Sequence, residues 1–91
     1  MIKNVYFHID EIGRDAITAS ALKKAFAKKN INLVYGNRVY TNKLLENFLL
    51  AFDLIILPRP QFLKNFKNIN KKIPPVIILY TESVGRVVSE N

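Results

Sequence analysis

Short apolar runs rich in β-forming residues alternate along this chain with longer stretches in which apolar residues recur every three or four positions. The first run, Ile2 to Ile9, puts Val5, Phe7 and Ile9 on one face and Tyr6 and His8 on the other, which predicts a strand buried on both sides. A polar loop, Asp10 to Asp15, follows, with Asp15 placed to cap the next helix. From Ala16 to Lys29, the residues Ile17, Ala21, Leu22, Ala25 and Phe26 recur at helical spacing. The lysines fall on the other side and toward the end, where they suit the helix dipole. Asn30 breaks this helix, and Ile31 to Tyr35 reads as a second strand, ended by Gly36-Asn37. A second helix is predicted from Thr41 or Asn42, with Leu44, Leu45, Phe48, Leu49 and Phe52 inward. Leu54-Ile55-Ile56-Leu57 is a short, fully apolar run of the kind found in central parallel strands. Pro58-Arg59-Pro60 stops it, since proline cannot donate to a ladder, and Pro60 can open a third helix carrying Phe62, Leu63, Phe66 and Ile69. Pro74-Pro75 introduces a last strand, Val76 to Tyr80.

The order β-α-β-α-β-α-β predicts an α/β fold: a Rossmann-like parallel sheet of about four strands, joined by right-handed crossovers, with helices on both faces. The expected strand order runs 3-2-1, with the fourth strand next to the first. No internal repeat, linker or low-complexity stretch interrupts residues 1–91, which are read as one domain. A chain of this length holds one modest core and is only marginally stable alone.

Charge adds a second layer. Fourteen Lys and Arg against seven Asp and Glu give a formal net charge of +7, which favours anionic partners. Most of it is lysine, in pairs on predicted helices: Lys23-Lys24, Lys28-Lys29, and Lys64 and Lys67 with Lys71-Lys72. No aromatic residues interleave with these lysines as a base-stacking platform requires, so nucleic acid is a disfavoured partner. There is no cysteine, which excludes disulfides and thiolate metal sites. The one histidine, His8, cannot build a zinc site alone, and neither a metal nor a cofactor is expected. No apolar run approaches the roughly 20 residues of a membrane helix, and the start lacks the regions of a signal peptide. A cytoplasmic location is expected.

In an open parallel sheet, ligands bind beyond the carboxyl ends of the strands. The four segments there are Asp10 to Asp15, Gly36-Asn37-Arg38, Pro58-Arg59-Pro60 and Thr81-Glu82-Ser83. Together they bring Glu11, Arg14, Asp15, Arg38, Arg59 and Glu82 to one rim. The three arginines could hold a phosphate or carboxylate, because guanidinium groups match those anions bidentately. Glu11 or Glu82, if desolvated, could serve as a general base and is the candidate catalytic group. His8, inside the first strand, reads first as a core histidine. Neither a G-x-G-x-x-G turn nor a P-loop is present. A phospho-receiver would use Asp10-Glu11 and Thr81, but the third strand ends in Leu57-Pro58-Arg59 where a receiver needs its phosphorylatable aspartate, and that reading is rejected.

Three segments carry a resemblance: Glu11-Ile12-Gly13-Arg14-Asp15 leading into an alanine-rich helix, Val34-Tyr35-Gly36-Asn37, and Leu79-Tyr80-Thr81-Glu82-Ser83-Val84-Gly85. They resemble the N-terminal part of surface-carbohydrate (polysaccharide) biosynthesis proteins, which are similar to glycosyltransferases built from two Rossmann-like halves. The resemblance implies substrate-binding roles for Glu11, Arg14, Asp15, Gly36, Asn37 and Glu82, beside the rim residues Arg38 and Arg59. It implies an acceptor-side N-terminal half, incomplete and inactive by itself. The carbohydrate acceptor would bind here, and the nucleotide-sugar donor would be held by a C-terminal half. It also gives the basic helices a use against anionic membrane, where each lysine near the surface adds about 1 kcal/mol. The alternative, read from charge and rim arginines, is a stand-alone binding module for an anionic partner: a phosphorylated metabolite or a nucleic acid. A third is an interaction domain whose open sheet edges drive homodimer formation.

Overall fold

A computed structural model describes residues 1–48, 51–67 and 72–80. Four strands, β1 (Asn4–His8), β2 (Asn32–Gly36), β3 (Leu54–Leu57) and β4 (Val76–Ile78), form one sheet in the order β2-β1-β3-β4. Every pairing in it is parallel. Helix α1 (Ile12–Ala27) joins β1 to β2. Helix α2 (Arg38–Lys43) continues into a π-helical turn, Leu44–Phe48, on the way to β3. A 3₁₀ turn, Pro60–Phe62, then leads into α3 (Leu63–Lys67). The Rossmann-like α/β architecture expected from the alternation is present.

The strand order differs from the expected one. β3, not β4, lies beside β1 on the side opposite β2, and the reason is burial. Ile55, Ile56 and Leu57 are buried, which only a strand flanked on both edges and covered on both faces can achieve. β2 carries an exposed Asn32 and a 40 % exposed Tyr35, and it takes the edge. The chain steps from β1 to β2 in one direction and from β2 to β3 in the other. Reversing direction moves the crossover helix to the other face when crossovers keep one hand.

The two faces are packed separately. Val5, Phe7, Ile9, Leu33 and Ile56 meet Ala19 of α1, with Ala16, Leu22 and Phe26 packed against them. On the opposite face, Tyr6, Ile55 and Leu57 meet Leu44, Phe62 and Phe66, with Leu45, Phe52 and Leu63 alongside. Each such side chain, fully buried, contributes about 1.5–3 kcal/mol. The division of β1 into a Val5/Phe7/Ile9 face and a Tyr6/His8 face is as its alternation predicts.

Helix α1 starts earlier than expected, at Ile12, with Glu11 as its N-cap residue and no side-chain cap bond. Asp15 is therefore not the cap. It lies in the first turn and reaches back to the Asp10 and Glu11 N–H groups. The helix buries Asp15 and Ala19 fully and Leu22 and Phe26 in part, while Ile17, Ala21 and Ala25, expected inward, are exposed. At the other end, Asn30 does break the helix. It adopts φ 61° while its N–H bonds the Ala27 carbonyl at 3.1 Å and the Ile31 N–H bonds the Phe26 carbonyl at 2.9 Å. That is a Schellman closure, and both Phe26 and Ile31 pack against the same apolar core cluster.

Helix α2 also begins early, at Arg38, because Asn37 caps it. β4 ends at Ile78, two residues short of the expected Tyr80. The Phe48 side chain, Leu49 and Ile69, assigned from periodicity, and Lys71 and the Lys67 side chain, of the predicted lysine group, lie outside the described residues.

Candidate functional site

With strand order β2-β1-β3-β4, the chain reverses direction between β1 and β3, and the crevice beyond their carboxyl ends is where such sheets bind ligands. Two segments reach it directly: Ile9 to Glu11 after β1, and Pro58-Arg59 after β3. Pro58 is buried, and Pro60 opens the 3₁₀ turn, so Arg59 is held extended between two prolines (φ −149°, ψ 153°). Its side chain crosses toward β1. Arg59 Nη2 donates to Asp15 Oδ2 at 3.1 Å, and Arg59 Nε approaches Asp10 Oδ2 at 3.4 Å.

Asp15 is fully buried at this crossing. Its Oδ2 also accepts the Glu11 N–H at 2.7 Å and the Asp10 N–H at 2.9 Å, so one carboxylate fixes the β1–α1 loop and anchors Arg59. A charge can be buried on these terms because it is paired and hydrogen-bonded.

Below the rim, a buried polar chain runs through the sheet face that carries Tyr6 and His8. Tyr6 Oη lies 2.6 Å from Thr41 Oγ1, and His8 Nδ1 lies 2.7 Å from the same oxygen. Burial pushes the Tyr6 hydroxyl up to about 12, so it is a phenol and can donate. Burial also pushes the His8 imidazole below its ordinary value, with Asp10 pulling it the other way. The ring is therefore neutral at pH 7 and carries one proton. A consistent assignment has Tyr6 donating to Thr41 and Thr41 donating to Nδ1, which puts the ring proton on Nε2. The His8 ring stacks on Phe62 at 4.0 Å between centroids. Its Nε2 faces Asp10 Oδ1 at 3.8 Å and has no hydrogen-bond partner among the described residues.

Thr41 reaches this position because Asn37 starts α2 at Arg38. The Asn37 Oδ1 accepts the Val39 and Tyr40 N–H groups at 3.1 and 3.3 Å. Gly36 precedes it where Tyr6 and Tyr40 stack, 5.8 Å between centroids. A Cβ on Gly36 would lie 2.8 Å from Tyr6 Oη and 2.9 Å from Tyr40 Cβ, so the close approach needs glycine.

Two clefts of about 310 Å³ each open on the rim, and Asp10 and Arg38 line both. One continues along Gln61, Phe62, Lys64 and Asn65, the other along Ile9, Ile12, Asn37 and Val39. Arg38 Nη2 stands 3.8 Å from Asp10 Oδ1 and its side chain is 71 % exposed.

No protein-family model matches this chain, and no curated protein or solved structure does. The site therefore rests on geometry alone.

That geometry gathers most of the residues expected at the rim but gives them different work. Asp15 and Arg59 form a buried pair, Glu11 and Arg14 pair with each other on the exposed first turn of α1, and Asn37 and Gly36 shape the start of α2. Arg38 is the expected arginine most open to solvent. Glu82 lies outside the described residues. Sequence reasoning passed over Thr41, and it noted Asp10 only beside Glu11. A signal for Thr41 existed: Asn37 as a cap counts four residues forward to an inward position. Among the described residues, no cluster of His, Asp and Glu is placed to hold a metal ion, and no helix is long and apolar enough to cross a membrane.

Proposed function

We propose that this domain binds a small, anion-bearing, hydroxylated metabolite, of the class of sugar phosphates, in the crevice between β1 and β3. The observation that carries the reading is Arg38, exposed and shared by two clefts at the carboxyl edge, with Lys64 along the wall of one of them. Guanidinium and ammonium groups suit a phosphate. Gln61 and Asn65 add amide donors and acceptors of the kind that meet sugar hydroxyls. Calorimetric titration with a panel of sugar phosphates, and with the same sugars lacking phosphate, tests it. Binding that needs the phosphate and drops at least tenfold in Arg38→Ala supports the reading. Equal affinity for the phosphate-free sugars rejects it. A steep salt dependence shared with nucleic acid would move the assignment to a polyanion binder.

A second reading is the acceptor-side half of a glycosyltransferase-like protein of surface-polysaccharide biosynthesis. Edge strand β4 favours it: Ile77, Leu79 and Tyr80 are 48, 36 and 50 % exposed on and beside a strand that pairs only with β3 among the described residues. Apolar surface along an open edge suits a further packed element. A carbohydrate acceptor that binds while nucleotide sugars do not would support this half-site role. Nucleotide-sugar binding by the 91 residues alone would count against it.

A further inference from the structure

Asp10 and Asp15 are five residues apart and both touch Arg59, yet they are held differently. Asp15 is fully buried and accepts donors at 2.7, 2.9 and 3.1 Å. The Asp10 side chain is 28 % exposed, and three donors from three separate segments surround it without closing on it. His8 Nε2 and Arg38 Nη2 stand 3.8 Å away, and Arg59 Nε stands 3.4 Å away. Charge-assisted hydrogen bonds to a carboxylate close to about 2.7–2.9 Å when geometry allows. A short side chain tethered to the loop after β1 cannot meet all three at once. On two of these three side chains a buried nitrogen, His8 Nε2 and Arg59 Nη1, has no hydrogen-bond partner among the described residues. Buried donors are left unmade only at a cost, and native proteins rarely carry them without a reason.

Taken with the proposed anion-binding role of this crevice, on which it rests, the geometry points to a specific seat. We infer that the space between His8 Nε2, Arg38 and Arg59 is the seat for the oxyanion group of the ligand, and that the Asp10 carboxylate sits in it as an undersized stand-in. A phosphate carries more acceptor oxygens than a carboxylate and is not tethered, so it can answer donors that Asp10 leaves at 3.4–3.8 Å. Asp10 is free to yield, because its N–H, not its carboxylate, is what Asp15 fixes. Its charge then works against the ligand, and affinity is set by competition with a built-in anion. Selectivity follows. A dianionic phosphate displaces a carboxylate more effectively than a neutral sugar or a monocarboxylate does.

Inorganic phosphate is the probe. Its affinity is measured by calorimetry on the full chain for the wild type, Asp10→Asn and Asp10→Ala, with far-UV circular dichroism confirming each fold. Removing the competing charge is expected to tighten phosphate binding about tenfold or more in both variants. Arg38→Ala in the Asp10→Ala background is expected to reverse that gain. The ¹⁵N resonance of His8 Nε2 is expected to shift on phosphate addition in Asp10→Asn, a signature that general surface binding by lysines does not produce. If sugar phosphates bind the wild type but Asp10→Asn and Asp10→Ala bind phosphate no better, the seat is overturned and the crevice reading survives. If no variant binds phosphate or any sugar phosphate, both fall.

Discussion

The central strand β1 presents two different surfaces to the two layers of helix around it. One side, Val5, Phe7 and Ile9, is apolar throughout and meets Ala19, Leu22 and Phe26 of α1. The other carries hydrogen-bonding groups at both of its buried positions: Tyr6 and His8 share Thr41, and His8 ends against Phe62 and faces Asp10. Both surfaces are fully buried, so burial alone does not explain the difference. The apolar side needs nothing but shape. The polar side carries groups that must be matched one by one, and its hydrogen bonds end at the crevice. A sheet can thus keep its packing and its chemistry on opposite faces of one strand, and the two should respond differently to perturbation.

The largest expected effect is on the dry side. Phe7→Ala leaves a cavity under α1 and should cost about 3–5 kcal/mol in denaturant unfolding. Ligand affinity, measured below the transition, should hardly change. A loss under 1 kcal/mol would mean that α1 is not the principal cover of that face. At the rim, Asp15→Ala strands the Arg59 guanidinium and two loop N–H groups, and about 3 kcal/mol should be lost. Arg59→Met with Asp15→Ala together should recover part of it, because both charges leave the interior. A double variant no better than the single would show that the pair is not a unit.

Which parts could be read from sequence follows the same division. The dry side was legible because the period of a strand, Val5-Phe7-Ile9, and the run Leu54–Leu57 are patterns of apolar residues alone. The strand order was not legible, since it depends on which strand has the most area to hide, a comparison across elements. The apolar period also misplaced the buried stripe of α1. The residue at its top is Asp15, a charge that is buried only because Arg59, 44 positions away, comes to it. The rim arginines were placed on the correct edge. Their pairing was invisible, because ion pairs between loops depend on three-dimensional distances. Thr41 escapes the pattern for a local reason: apolar spacing starts the helix at Thr41 or Asn42, whereas the Asn37 cap starts it at Arg38.

Smaller effects test the polar side. Thr41→Val keeps the shape and removes the hydroxyl that both Tyr6 and His8 use, so two buried polar atoms lose their partner and about 1–3 kcal/mol should go. The same change should weaken ligand binding, unlike Phe7→Ala, because the His8 proton is no longer directed to Nε2. Asn37→Ala removes the cap that sets where Thr41 falls and should cost about 1 kcal/mol. If Thr41→Val were neutral for both stability and affinity, the polar chain would be incidental packing.

The smallest effect, and the sharpest separator, is the pH dependence of stability. In the folded protein the His8 imidazole is held below its ordinary 6.5 by burial, against the pull of Asp10 and Asp15 and with Arg38 and Arg59 opposing protonation. As pH falls through about 6.5, the unfolded chain takes up a proton that the folded chain refuses, so the unfolded state is favoured. Stability is therefore complete above the unfolded value and is lost progressively as pH falls toward the folded one. Asp53 gives the same sign in a separate window. Its carboxylate accepts the Lys3 and Asn4 N–H groups at 2.8 and 2.9 Å, at the amino end of β1, and these bonds hold it below its ordinary 3.8. Its contribution persists until pH falls below that value. Chemical denaturation from pH 8 to pH 3 should then show two declines. His8→Gln should remove the upper one and Asp53→Asn should reduce the lower one, while Phe7→Ala shifts the whole curve down without changing its shape. An upper decline that survives in His8→Gln would mean that the polar side of β1 does not set the response to mild acid, and that the contrast between its two surfaces is one of composition alone.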